Sequence, residues 1–309
     1  MILPMTERQL LAEREQGRYS RTWAVLNDYL TLTKPPIILL LLITAAGGMF
    51  LAAKGIPSLP LLGLVWVGGA LASAGANAIN HQLDRDIDLV MSRTRHRPVA
   101  DQRITPTKAL IFGILLNILA FLVLAIWVNL LAATLTLSAT LFYVFVYTLW
   151  LKRSTPQNIV IGGAAGSIPP LVGWAAVTGG LDLPAVYLFA IIFFWTPPHF
   201  WALSLLIQED YERARIPMLP VVATRDYTTL NIFLYSLALV GITAIFAASP
   251  AVHGIYLLAA LVLGGVFLAL AWLLKRDSTR KRARTLYLFS LLYLALLFGS
   301  LMVDTMVPI

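Results

Sequence analysis

Cysteine is absent from the 309 residues, which excludes both a disulfide framework and a thiolate metal site. Charge is scarce too. Only 12% of the residues are Asp, Glu, Lys or Arg, while 59% are hydrophobic. A water-soluble domain usually carries about 25% charged residues, so this chain lacks the groups to cover a surface facing water. A nucleotide phosphate loop is missing as well. Gly162, Gly163 and Gly166 stand together, but with no preceding strand and no Lys-Ser/Thr after them. In a membrane helix such small residues mean close packing. A transit or signal peptide is not evident either. The first 28 residues hold Glu7, Glu13, Glu15 and Asp28 and no apolar core. Residues 1–30 read as a retained polar arm, and 31–309 as one membrane domain.

What is present in abundance is apolar sequence in runs near 20 residues, each enough for one crossing. Nine runs are expected, at 36–53, 59–79, 108–127, 129–149, 158–177, 184–206, 229–248, 252–274 and 285–303. Only helices or closed barrels satisfy the backbone inside lipid. Continuous runs are unlike the alternating strands of a barrel. The fold class is therefore all-α, a polytopic bundle of nine transmembrane helices. Basic residues set its orientation. Of the 23 lysines and arginines, 22 fall on one side of that arrangement and only Lys54 on the other. By the positive-inside rule the rich side is cytoplasmic, with the N-terminus inside and the C-terminus outside. The two long connections, 80–107 and 207–228, lie on that same side. Long polar loops on one face of a rigid bundle are where a site is built.

Three constellations stand in those loops. Asn80, Asp84 and Asp88 are spaced i, i+4, i+8. On a helix this spacing drifts about 40° per step, so they form one stripe, with Asp86 pointing elsewhere. Carboxylates one turn apart repel unless a cation sits between them, and Mg²⁺ favours a few carboxylates plus phosphate oxygens and water. The plain alternative is a solvated helix end paired to Arg85, Arg93 and Arg95. Directly downstream come Arg93, Arg95 and Arg97, whose planar forks suit phosphate oxygens. Lys152 and Arg153 add a basic pair on the same face. For all these cations, topology and lipid headgroups are the alternative. The third constellation is Glu209, Asp210 and Glu212, reached from Pro197, Pro198 and His199. A double proline is expected to break the sixth span. His199 could then share a cavity with Asp210 or serve an interhelical hydrogen bond.

These residues resemble a known family. The Asn-x-x-x-Asp-x-x-x-Asp segment, nine spans and a second acidic loop are similar to the UbiA superfamily of intramembrane prenyltransferases. Within it the chain resembles the branch that farnesylates protohaem IX. Four segments bear that closer likeness: Leu32 to Pro35, Asn80 to Pro98, Lys152 to Gly163, and Trp195 to Pro220. The last three spans match only as hydrophobic helices. Arg215 stands where the resemblance expects a small residue.

The resemblance implies an inner-membrane enzyme with Mg²⁺ as cofactor and farnesyl diphosphate and protohaem IX as substrates. It implies metal ligands at Asn80, Asp84, Asp88 and Asp210, with Glu209 and Glu212 as open alternatives to Asp210. Asp84, Asp88, Asp210 and His199 would be catalytic. Asn80, Arg93, Arg97, Lys152 and Arg153 would hold the diphosphate. A downstream haem A synthase is a candidate partner; no nucleic acid is expected. Rival readings are a relative acting on a quinone precursor or another tetrapyrrole group, a transporter, and an alcohol phosphotransferase. The transporter should show matching inverted halves, which are not visible. The phosphotransferase needs glycine after its acids, and Leu89 follows Asp88.

Overall fold

Residues 22–307 are described by a computed structural model, and among them there is no strand. Nine helices are long and apolar enough to cross a bilayer. They are α1 (Pro35–Ala53), α2 (Leu59–Leu83), α3 (Pro106–Trp127), α4 (Leu130–Ser154), α5 (Asn158–Thr178), α6 (Leu183–Leu206), α7 (Arg225–Ala247), α8 (Gly254–Arg276) and α9 (Arg280–Met306). Each expected span has its helix, and the ends move by a few residues. The third and fourth runs separate at Val128–Asn129, where the Asn129 side chain caps α4 by accepting from the Ala132 amide at 2.8 Å. Most of the expected N-terminal arm lies outside the described residues. Residues 22–33 are helical. Arg103 ties that helix to the loop before α3, its Nε donating to Asp28 at 3.0 Å.

The helices close into a ring. α2 packs along α3, α1 against α5, α6 against α7 and α9, and α9 returns onto α1. Large side chains such as Leu115, Ile118, Leu122 and Ile126 face outward from α3. Small ones face inward, because lipid gives no hydrophobic force between helices and close packing must supply the attraction. At the α2–α3 crossing, a Cβ on Gly113 would stand 2.7 Å from the Gly75 carbonyl oxygen. Gly162 and Gly163 pack likewise against Tyr147 and Thr196, while Gly166 faces open space.

The expected proline break is in a different helix. α6 runs unbroken through Pro197 and Pro198. Inside a membrane bundle, neighbouring groups can take over the backbone bonds that proline removes. The Thr196 hydroxyl donates to the Ile192 carbonyl at 2.8 Å, adding a bond in the turn that loses them. The interruption falls instead in α5, which stops at Gly166 and restarts at Pro169. A further irregularity lies in α4, where Phe142–Leu151 winds as a π-helix. Such wide turns are rare and tend to occur at functional sites.

Candidate active site

The acidic stripe crosses a helix junction. α2 ends at Leu83 and a short helix, Arg85–Val90, begins after Asp84. Backbone bonds bridge the join, from the Asp84 amide to the Asn80 carbonyl at 2.9 Å and from Asp88 to Asp84 at 2.8 Å. The i+4 register therefore survives, and Asn80, Asp84 and Asp88 are all buried, at 3%, 1% and 2% exposure. Asp86 points the other way. It pairs with both terminal nitrogens of Arg153, at 2.7 and 2.8 Å. Those bonds lower its pKa to about 2.

Three cations close over the stripe, two of them from distant parts of the chain. Lys34, between the 22–33 helix and α1, donates from Nζ to Asn80 Oδ1 at 2.9 Å. Its backbone is left-handed at φ 52, a conformation uncommon for a residue with a Cβ. Burial, together with the positive charges of Arg97 and Lys152, lowers the Lys34 pKa to about 7. Lys152, at the end of α4, donates to Asp84 Oδ2. Arg97 donates from Nη1 to both oxygens of Asp88, at 2.8 and 2.9 Å. Asn80 Nδ2 reaches Asp84 Oδ2 at 2.8 Å and Thr148 Oγ1 at 3.3 Å. Thr148 lies in the π-helical segment, as do Tyr143 and Tyr147, whose rings stack 5.6 Å apart. Lys34, Thr148 and this tyrosine pair were not singled out from the sequence. Lys34 stands within the Leu32 to Pro35 segment that carries the likeness, but nothing there assigned it a role.

The second acidic loop meets the first through Ser92. The Ser92 amide and hydroxyl donate to Asp210 Oδ1 at 3.1 and 2.8 Å, and Arg213 donates to the same oxygen. Burial opposes ionisation of Asp210, but Ser92 and Arg213 outweigh it and hold the carboxyl below its ordinary range. Glu209 and Glu212 on either side are exposed. Tyr211 is buried, which raises its phenol pKa, with Arg93 among the charges acting on it. Arg93 itself is exposed. Arg215 has a left-handed backbone at φ 53, a conformation that costs a residue with a Cβ about 1 kcal/mol.

His199 uses its polar capacity elsewhere. Its Nδ1 lies 2.7 Å from Ser290 Oγ on α9. Its ring stacks on Trp195 at 4.3 Å and packs beside Tyr287 and Phe200. These bonds join α6 to α9 rather than to either acidic loop.

The donor set suits a hard cation that seeks oxygen. Asp84 Oδ1 is buried with no hydrogen-bond partner; only Arg153 approaches it, at 3.9 Å. An open buried carboxylate oxygen is costly unless something binds it. Among the described residues, no three acids or histidines already converge on one point. Mg²⁺ usually takes one or two protein carboxylates and completes its shell with phosphate oxygens and water. The arrangement therefore fits a cation that arrives with a diphosphate.

Comparison with known proteins agrees with this geometry. The UbiA prenyltransferase family model matches residues 41–297. A Gloeobacter violaceus protein named protoheme IX farnesyltransferase is 51% identical over 298 residues, covering 96% of this chain and 98% of its own. A Synechocystis protein of the same name is 50% identical, over 92% of this chain and 90% of its own. One from Roseiflexus is 50% identical over 92% of this chain, which spans only 53% of that longer relative. Among solved structures, a digeranylgeranylglyceryl phosphate synthase superposes with a TM-score of 0.75 at 18% identity, covering 91% of this chain and 98% of that one. A UbiA homolog from Archaeoglobus fulgidus bound to GPP and Mg²⁺ gives 0.64 at 17%, covering 89% and 99%.

Proposed function

Since the chain belongs to the UbiA prenyltransferase family, we propose that it transfers a farnesyl group from farnesyl diphosphate to a vinyl group of protohaem IX. The observation that carries the donor half is Asp84. It is buried and has one unpartnered oxygen, Lys152 from α4 donates to its other oxygen, and Lys34 and Arg97 hold its stripe neighbours Asn80 and Asp88. The acceptor half rests on relatives near 50% identity that are named for that reaction.

Lys34, Arg97 and Lys152 supply the charge and donors that a departing diphosphate needs, in a site screened from water. Arg153 stands 3.9 Å from the open oxygen of Asp84, and exposed Arg93 in the same loop as Asp84 is a further candidate for the diphosphate. Mg²⁺ held by Asp84, with Asn80, Asp88 and Asp210 as its other candidate ligands, would offset the diphosphate charge as the C–O bond breaks. Tyr143 and Tyr147 present ring faces suited to an allylic cation. The vinyl carbon attacks C1 of that cation. Water then adds to the resulting carbocation and loses a proton, giving a hydroxyethylfarnesyl haem, haem O, for a haem A synthase to use. His199 fixes α9 against α6 and so shapes the wall of the bundle. The protein lies in the inner membrane with its acidic loops facing the cytoplasm.

The direct test incubates the purified protein with farnesyl diphosphate, Mg²⁺ and protohaem and weighs the product. A tetrapyrrole heavier by farnesol is expected. Unmodified haem in the presence of all three would sink the proposal.

A further inference from the structure

Beside the diphosphate cations lies a separate basic hollow. A cavity of about 280 Å³ opens between the short helices Arg85–Val90 and Gln208–Arg213. Asp86, Ile87, Arg153, Arg213, Arg215 and Ile216 help to line it, so three guanidinium groups face a single carboxylate. Two of them are already engaged, Arg153 on Asp86 and Arg213 on Asp210. The Arg215 side chain has no hydrogen bond or ion pair to any described residue. It also sits on a left-handed backbone at φ 53, where glycine would be free of strain. A strained, unpaired arginine lining a cavity points to a ligand that is not part of the chain.

We propose that Arg215, with Arg213 beside it, binds a propionate carboxylate of the tetrapyrrole acceptor. The inference rests on the farnesyl-transfer reading and extends it to acceptor recognition. Protohaem carries its two carboxylates on one edge and its vinyl groups on the other. A molecule of that shape enters a membrane protein with the charged edge toward water. Its carboxylates cannot share the cations that hold the diphosphate, because the two anionic groups repel. They need a second basic site near the first, and this cavity adjoins it: Ile87, in its wall, lies between Asp84 and Asp88. The volume admits a carboxylate arm but not the macrocycle. The planar guanidinium fork matches a carboxylate in two-point contact.

The test compares protohaem with its dimethyl ester, which keeps the ring and vinyl groups but loses both charges. The full-length protein is placed in nanodiscs and titrated with each, following the haem absorption band. Wild type should bind protohaem more tightly than the ester. Arg215→Gln keeps the strained backbone and Arg215→Gly relieves it, so a folding effect would separate the two variants. Both should weaken protohaem binding by about three- to ten-fold, the range for a partly exposed charge-assisted bond. Neither should change ester binding or the KM for farnesyl diphosphate. If wild type binds and farnesylates both tetrapyrroles alike, or if the variants keep the preference for protohaem, this inference fails alone. If wild type binds neither tetrapyrrole, the farnesyl-transfer reading falls with it.

Discussion

Asp84 and Glu209 are both carboxylates near one mouth of the bundle, and their surroundings differ. Asp84 is 1% exposed and has one oxygen open, whereas Glu209 faces solvent. Asp84→Asn should therefore lower turnover at least about a hundred-fold, the scale of removing a group that stabilises developing charge. Glu209→Gln should stay near wild type in the same product assay. Asp210→Asn should fall between them and need more Mg²⁺ for half-maximal rate. A severe Glu209→Gln with a silent Asp210→Asn would move the metal ligand one residue earlier. Lys34 gives a pH prediction. With its pKa at about 7, it is protonated below that value and loses its charge as the pH rises through it. Affinity for farnesyl diphosphate should then weaken as pH rises above about 7. Arginine stays charged throughout, so Lys34→Arg should flatten the dependence; an unchanged profile in that variant would remove Lys34 from the diphosphate site. The stripe was legible because i+4 spacing survives the junction at Asp84, and Asp210 was separable from its neighbours by 100° steps along a helix. The burial of these acids was not legible. They were placed in the loop with no reading of their burial, because their covers, Lys34, Thr148 and Lys152, come from 46 to 68 residues away in sequence.

Helix boundaries were readable from apolar length alone, while the irregularities inside helices were not. Pro197–Pro198 and Pro169–Pro170 are the same dipeptide in two spans, yet only the second interrupts its helix. The restart at Pro169 brings the Pro170 carbonyl so close to α1 that a Cβ on Gly48 would stand 2.2 Å from its oxygen. That contact is between helices and leaves no local signature. The α2–α3 crossing offers a cleaner test. Gly113→Ala would place its Cβ 2.6 Å from Ile79 Cγ1 and 2.7 Å from the Gly75 carbonyl, so the helices must part. About 1–3 kcal/mol of stability should be lost. Activity should fall as well, because α2 carries Asn80. At the opposite end, Asp304 of α9 accepts from the His253, Ile255 and Tyr256 amides at 2.6, 3.0 and 3.0 Å, capping α8 from a neighbouring helix. Asp304→Leu leaves those donors unpaired, the Tyr256 amide among them buried, and should cost about 1–3 kcal/mol in thermal unfolding. Asp304→Asn keeps one acceptor oxygen and should cost less. Equal melting curves for all three proteins would mean that water already serves these amides.

For the molecule as a whole, the deciding quantity is the charge difference between its two ends. Lys54 is the one basic residue expected on the outer side, against 22 within. For the basic residues from Lys34 onward, the nine described helices keep that partition, because each lies where an apolar run was expected and the connections alternate between the two ends. Positive charges near helix ends resist translocation, so the rich end should remain in the cytoplasm. Adding or removing one helix would reverse every loop after it. The basic cluster at 275–284 would then be placed outside, against the rule. The absence of cysteine makes a direct measurement possible, since one introduced thiol is the only site of labelling. Ser58→Cys and Ser249→Cys, in connections of the sparse end, should react with a membrane-impermeant maleimide added to intact cells. Ser278→Cys, between α8 and α9, should react only after the membrane is opened. A reporter fused after Ile309 should be active only if it works outside the cytoplasm. Protection of Ser249→Cys together with outside labelling of Ser278→Cys would invert the protein. The acidic stripe would then face away from the cytoplasm. Labelling of both from outside would instead mean that α8 does not cross the membrane.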